Sequence, residues 1–224
     1  TPQQEVALGL QSAPEMARQF GGVSRDARAT ALVKEIGAEI VASLPAEAPR
    51  YPFEYHLLAD RQTINAFALP GGQMFITEAL LGRLKTRGQL AGVLGHETGH
   101  VLARHSAQQM AKADLTQGLV GAATVAAGDA RSGQVGQMVG RFILMKYGRD
   151  DELEADRLGV QFMARAGYDP RAMIGVMEIL AEASGGGQQP DFMSTHPSSE
   201  NRVAHLHMLI EQAFQNGVPA GMKP

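Results

Sequence analysis

VLGHETGHVLARHS, residues 93–106, sets three of the chain's seven histidines, one glutamate and one arginine into an otherwise apolar helical pattern. Within it, HETGH (96–100) has the form H-E-x-x-H. Residues four apart lie on one helical face, so His96 and His100 can present both rings to a single ion. Glu97 projects about 100° away from His96, near enough to hold a water on that ion but not to be a ligand itself. Val93, His96, His100 and Ala103 share one stripe of the helix; Leu90, Leu94, Glu97 and Val101 share its neighbour. Polar groups inside apolar stripes cost free energy unless they are paired or coordinate a metal. On a continuous helix His105 falls about 140° round from His100. It is therefore expected off the metal face, structural or exposed.

A zinc site needs a third protein ligand, and with no cysteine in the chain that ligand must be His, Asp or Glu. DDELEAD (150–156) offers Glu152 and Asp156 one helical turn apart. That geometry lets Glu152 bind the metal while Asp156 takes the N–H of a ligand histidine and fixes its tautomer. Glu154 points the other way and reads as solvated. Alone, the stretch would read as a charged helix start, where acids favour the N-terminal dipole. Beside a two-histidine motif the metal reading takes precedence.

Outward from these motifs the chain reads as mostly helical. Helices are expected over 3–20 and 26–44, the first with Pro14 as a start or kink and the second with Leu32, Ile36, Ile40 and Leu44 on one face. Segments 53–58, 63–69 and 73–77, punctuated by LPGG, read as a small antiparallel sheet. Thr77 reads as the cap of a helix over 78–85, followed by a longer helix over 89–112. After an Ala/Gly-rich stretch (113–148), a packed helix or a flap, come helices at 152–166 and 171–183. The flexible tract GGGQQP (185–190) precedes a last helix at 198–214, with Val203, Leu206, Ile210, Ala213 and Phe214 on its buried side.

The fold class expected is thus α+β: a single domain of 224 residues, mostly helical, with the small sheet beside the HExxH helix. Its parts are N-terminal helices (1–50), sheet (51–77), active-site helix region (78–112), Ala/Gly-rich flap (113–148) and third-ligand and C-terminal helices (149–224). A net charge of −3 with no basic run argues against nucleic acid. No stretch reaches the roughly 18–20 apolar residues of a membrane span. The start at Thr1 is compatible with a removed signal segment. His56, His205 and His207 read as surface or packing residues.

The chain resembles the zinc metallopeptidases that include HtpX, the CAAX prenyl proteases and the Oma-type proteases, and within them the BepA-like bacterial periplasmic group. The resemblance runs through EVALGLQSAPEMARQFGG (5–22), NAFALPGGQMFIT (65–77), LAGVLGHETGHVLARHS (90–106), ELEADRLGVQFMARAGYDP (152–170) and STHPSSENR (194–202). It implies one zinc ion per chain on His96, His100 and Glu152, with Glu97 as general base and Asp156 behind the ligands. It matches the family's HP histidine to His196 and the following arginine to Arg202, the latter expected at the substrate. It maps Asn65, Ala66, Phe67 and Ala68 onto an edge strand that can pair with an extended peptide.

A histidine after the flexible tract can swing to the metal, donating to an oxyanion or occupying the open position. The plainer alternative is a helix-capping loop with Ser198 or Ser199 as the cap. By resemblance the expected activity is a zinc endopeptidase acting on unfolded or misassembled envelope proteins. The setting implied is periplasmic or outer-membrane associated, with peripheral or lipid-anchored attachment open. The competing expectation is a zinc-containing chaperone or assembly factor whose peptidase centre is shut. Thr98 and Gly148 depart from residues common in the family, which are aliphatic and serine respectively.

Overall fold

The computed structural model describes residues 1–120, 130–184, 190–197 and 201–224. Helix α1 (Pro2–Gln19) opens with a capping box between Thr1 and Gln4 and runs through Pro14. Helix α2 (Ala27–Ala42) starts at Asp26, whose side chain accepts from the Ala29 N–H at 2.9 Å. Val33, Ile36 and Ile40 form its buried face.

Three strands follow: β1 (Glu54–Leu58), β2 (Ala66–Leu69) and β3 (Gln73–Thr77), in the spatial order β1-β3-β2. β2 and β3 pair antiparallel across a turn in which Gly71 and Gly72 take φ of 81° and 103°. β1, however, pairs with β3 in parallel, so the sheet is mixed where an antiparallel one was expected. Direction alternates along the chain, and β1 skips its sequence neighbour to lie on the far side of β3. Periodicity predicts strands but not which strand is the neighbour. Along β3, Met74 and Ile76 enter the larger core and Phe75 the smaller one, as a period of two requires. Phe75 stacks on Phe67 at 5.0 Å, near Met16 and Phe20.

Thr77 caps a single turn, α3 (Glu78–Leu81), accepting from the Leu80 N–H at 3.2 Å, shorter than the expected 78–85. Helix α4 (Arg87–Leu102) is buried from Gly88 to Val101 and packs on α2 and β2. The expected 89–112 helix does not continue: it ends at Leu102, and α5 (His105–Val120) begins after a break. At that break Arg104 has φ of 60°, a left-handed conformation rare for a side-chain-bearing residue. Its guanidinium is held by the buried carboxylate of Glu5, Nε donating to Oε1 at 2.8 Å. No Gly or Pro marks the break in the sequence.

The remaining helices are α6 (Ala130–Ile143), α7 (Arg149–Arg165), α8 (Ala172–Ser184), α9 (Asp191–Thr195) and α10 (Arg202–Ala213). The stretch expected as a flap supplies the second half of α5 and all of α6, and Val139 and Phe142 of α6 join the core beneath α1; residues 121–129 lie outside the described residues. So do 185–189 of the GGGQQP tract and the proposed caps Ser198 and Ser199. On α10, Leu206, Leu209 and Ile210 are buried, whereas Val203 is exposed. Among the described residues no helix is long and apolar enough to cross a membrane.

A close seam joins α4 to α7. A Cβ on Gly99 would lie 3.0 Å from the Ala155 carbonyl oxygen, and one on Gly159 would lie 3.1 Å from the His96 nitrogen. Small residues on both sides let the two backbones approach, because interaxial distance follows side-chain size at the contact. This sets HETGH directly against Glu152 and Asp156.

Candidate metal centre

His96, His100, Glu152 and His196 each offer one ligand atom, all within 4.8 Å of one another, and all four residues are buried. The first two come from α4, Glu152 from the first turn of α7 and His196 from the residue that ends α9. The Nε2 atoms of His96 and His100 lie 3.0 Å apart. Glu152 Oε1 is 3.4 Å from His100 Nε2, and Oε2 is 3.5 Å from His96 Nε2. His196 Nδ1 is 2.9 Å from Glu152 Oε1 and 3.4 Å from His96 Nε2. Zinc bonds of about 2.0–2.1 Å separate tetrahedral donor atoms by about 3.3–3.4 Å. The cluster therefore has the span of a zinc tetrahedron with His196 at its fourth corner.

Orphaned polar atoms point the same way. Both oxygens of Glu97, Glu152 Oε2, His196 Nε2 and Arg202 Nη1 are buried without a hydrogen-bond partner among the described residues. Orphans of this kind are rare and call for an explanation such as a bound ion. A divalent cation within the cluster would answer the carboxylate oxygens among them, though not the Arg202 donor, so the residues fit zinc.

The electrostatics divide the four residues. Burial depresses His100 well below the ordinary histidine range. Burial and the Arg202 charge also pull His96 down, but bonds to Asp156 and Glu152 outweigh them and hold it at about 9. Its Nε2 thus favours a cation, and a proton and a metal compete for it. Burial would raise Glu152, yet His196 and bonds to His100 and His96 keep it well below the carboxylate range. Burial raises Glu97, only partly countered by His196 and His96.

Asp156 lies one turn beyond Glu152 on α7. Its Oδ1 is 2.9 Å from His96 Nδ1, leaving Nε2 of that ring for the cluster. Burial raises its pKa, but the charge and bonds of Arg202 outweigh this and hold it at about 2. Arg202, expected at the substrate, is only 1% exposed and lies behind the cluster. Its Nε donates to Asp156 Oδ2 at 2.7 Å and its Nη2 to Oδ1 at 2.8 Å, while Nη1 sits 2.7 Å from Glu152 Oε2. That last contact is an ion pair without hydrogen-bond alignment, since both atoms also stand among the orphans.

Ala66, Phe67 and Ala68 lie on β2, the edge strand that packs on α4, and Asn65 directly precedes it; Ala66 and Ala68 are buried. Asn65 O accepts from Thr77 N, so the main-chain groups of Ala66 and Ala68 face away from β3. Among the described residues nothing outside the sheet pairs with them. A cavity of about 190 Å³ opens on this side, lined by Phe20, Asn65, Phe67, Phe142, Asp191 and Thr195 among others.

His105, expected away from the metal face, is buried at 2% exposure with Nδ1 2.9 Å from His100 Nδ1. Tyr147, not singled out from the sequence, stacks on His100 at 3.9 Å. Burial pushes its phenol pKa up, and the hydroxyl meets Ser106 at 2.8 Å. Thr98 is also buried, donating to Leu94 O at 2.7 Å and meeting the Tyr55 hydroxyl at 3.2 Å. The hydroxyl that departs from the family pattern is thereby satisfied. His56 packs on Phe75.

A family model described as "Peptidase family M48" matches residues 27–210. The "Mitochondrial metalloendopeptidase OMA1" of Schizosaccharomyces pombe is 38% identical over 163 residues, 72% of this chain and 48% of that protein. The "Beta-barrel assembly-enhancing protease" of Escherichia coli (strain K12) is 32% identical over 212 residues, 89% of this chain and 43% of that protein. "Metalloendopeptidase OMA1, mitochondrial" of Bos taurus is 36% identical over 172 residues, 70% of this chain and 32% of that protein. The chain spans about half, or less, of the length of these curated relatives.

Proposed function

The chain belongs to peptidase family M48, whose members are zinc-dependent metallopeptidases, and from that premise we propose that it is a zinc endopeptidase of unfolded or misassembled polypeptides. The observation that carries the reading is the buried cluster of His96, His100, Glu152 and His196 with the unpartnered carboxylate of Glu97 beside it. Bound zinc supplies a Lewis acid that acidifies a coordinated water and polarises a carbonyl.

The chain's own residues do the rest. Glu97 accepts the water's proton at a carboxylate oxygen and returns it to the leaving amine. Asp156, clamped by Arg202, fixes the tautomer of His96. The outward main-chain groups of Ala66 and Ala68 pair with an extended peptide, reading backbone more than sequence. His196, freed from the cluster, donates from Nε2 to the oxyanion.

A second reading is favoured by one feature. His196 is fully buried and fills the corner a substrate carbonyl needs, so the described conformation is a closed one. A chaperone or assembly factor with a shut centre would look the same. Relatives named for β-barrel assembly support a bacterial envelope setting, periplasmic or outer-membrane associated. The mitochondrial names of others do not distinguish it.

The test uses unfolded casein with wild type and Glu97→Gln, each with and without chelator. Cleavage by wild type alone, abolished by chelator, is expected. No cleavage by either, with aggregation suppressed by both, would replace the enzyme reading with the chaperone.

A further inference from the structure

His100 faces the cluster through Nε2. When that nitrogen donates its lone pair to a metal, the ring proton must sit on Nδ1. A buried N–H needs an acceptor, and the atom in reach is Nδ1 of His105, at 2.9 Å. For that atom to accept, the proton of His105 must lie on Nε2. Nε2 in turn faces Glu154 Oε2 at 3.4 Å and Asp151 Oδ1 at 3.7 Å, both acceptors when ionised. Carboxylate, His105 and His100 thus form a line in which each hydrogen bond leaves one tautomer for the next ring. His96 has the shorter version of this arrangement, with Asp156 directly on Nδ1.

The helix break builds this line. Were α4 to continue unbroken, His105 would lie on the wrong side. The left-handed turn at Arg104, tied to Glu5, starts α5 in a new direction and returns the side chain of His105 to His100. The next residue, Ser106, holds the hydroxyl of Tyr147, whose ring covers the face of His100. One edge and one face of the ligand are therefore fixed from the two residues after the break.

We propose that His105 is a positioning residue for the metal ligand His100, accepting its Nδ1–H and ordered in turn by Glu154. The proposal rests on the zinc reading above. Outer partners of ligand histidines contribute about 10–100-fold to metal affinity.

Zinc affinity is measured by competition with a chromophoric chelator on wild type, His105→Leu and His105→Asn, with melting of the zinc-free proteins alongside. Asn keeps a polar atom near the Nδ1 position, whereas Leu fills the space without one. Expected is a 10–100-fold weaker zinc affinity for His105→Leu, with His105→Asn within about 3-fold of wild type, and similar zinc-free melting for all three. Should His105→Leu not fold, His105→Gln takes its place with the same expectation, because its amide reaches Glu154 and leaves His100 unbonded. Equal affinity in wild type and the Leu or Gln variant overturns the proposal, as does an Asn variant as weak as Leu. Failure of wild type itself to bind zinc would instead sink the reading on which the proposal rests.

Discussion

Replacing Arg202 by Met removes a guanidinium that is 1% exposed while filling most of its volume with an unbranched chain. The change deletes the 2.7 and 2.8 Å bonds to Asp156 and the 2.7 Å ion pair to Glu152. Asp156 then keeps only His96 Nδ1, at 2.9 Å, and two buried carboxylates one turn of α7 apart are left to share the charge of His96. Removing one partner of a buried pair costs about 3–5 kcal/mol, a fifth or more of a typical total stability of roughly 5–15 kcal/mol. At roughly 2–4 °C per kcal/mol for a chain of this size, melting should fall by about 6–20 °C.

Urea and thermal unfolding should be followed on zinc-free protein, since the ion would otherwise stand in for the lost charge. Asp156→Asn completes a cycle: once Arg202 is gone, removing the carboxylate should cost less than it does in wild type, a coupling of about 0.5–3 kcal/mol. A loss under about 1 kcal/mol for Arg202→Met, or strictly additive effects in the cycle, would refute the claim that this guanidinium holds the ligands from behind.

Three further outcomes follow from the same geometry. Thr98→Val leaves the buried Tyr55 hydroxyl without its 3.2 Å partner and should cost about 1–3 kcal/mol; adding Tyr55→Phe should cost little more, and costs that simply sum in urea unfolding would show that the two hydroxyls do not interact. Stripping zinc should lower melting by about 8–16 °C, from roughly 4 kcal/mol of linkage at a thousand-fold excess over Kd and the size scaling of melting shifts. An unchanged midpoint would mean that no ion links α4 to α7. Gly159→Ala places a Cβ 3.1 Å from the main-chain nitrogen of His96 and should cost about 1–3 kcal/mol while weakening zinc binding; calorimetry with wild-type values for both would show that the seam has slack.

Much of the centre was legible because its parts are local. His96 and His100, and likewise Glu152 and Asp156, are pairs four residues apart, and a helix turns that spacing into a shared face. What could not be read depends on contacts between distant segments. The break at Arg104 is stabilised by Glu5, ninety-nine positions away, so the phase that returns His105 is invisible in the local pattern. The parallel pairing of β1 depends on which strand takes the middle of the sheet, not on any strand's own alternation. Arg202 follows an HP motif that suggests an exposed loop, and only the fold reveals two carboxylates waiting for it. Helix α4 lacks a polar face altogether, being buried on all sides, so amphipathic patterning had little to report there.

The seam between α4 and α7 also bears on how rigidly the candidate centre is spaced. Gly99 and Gly159 rest against opposing main chain, a contact that has no rotamers to adjust. The gap between the two histidines and Glu152 is therefore gauged by backbone atoms, much as a fixed caliper sets an opening. The spacing of the two ligand-bearing helices thus falls to two glycines that stand outside the cluster.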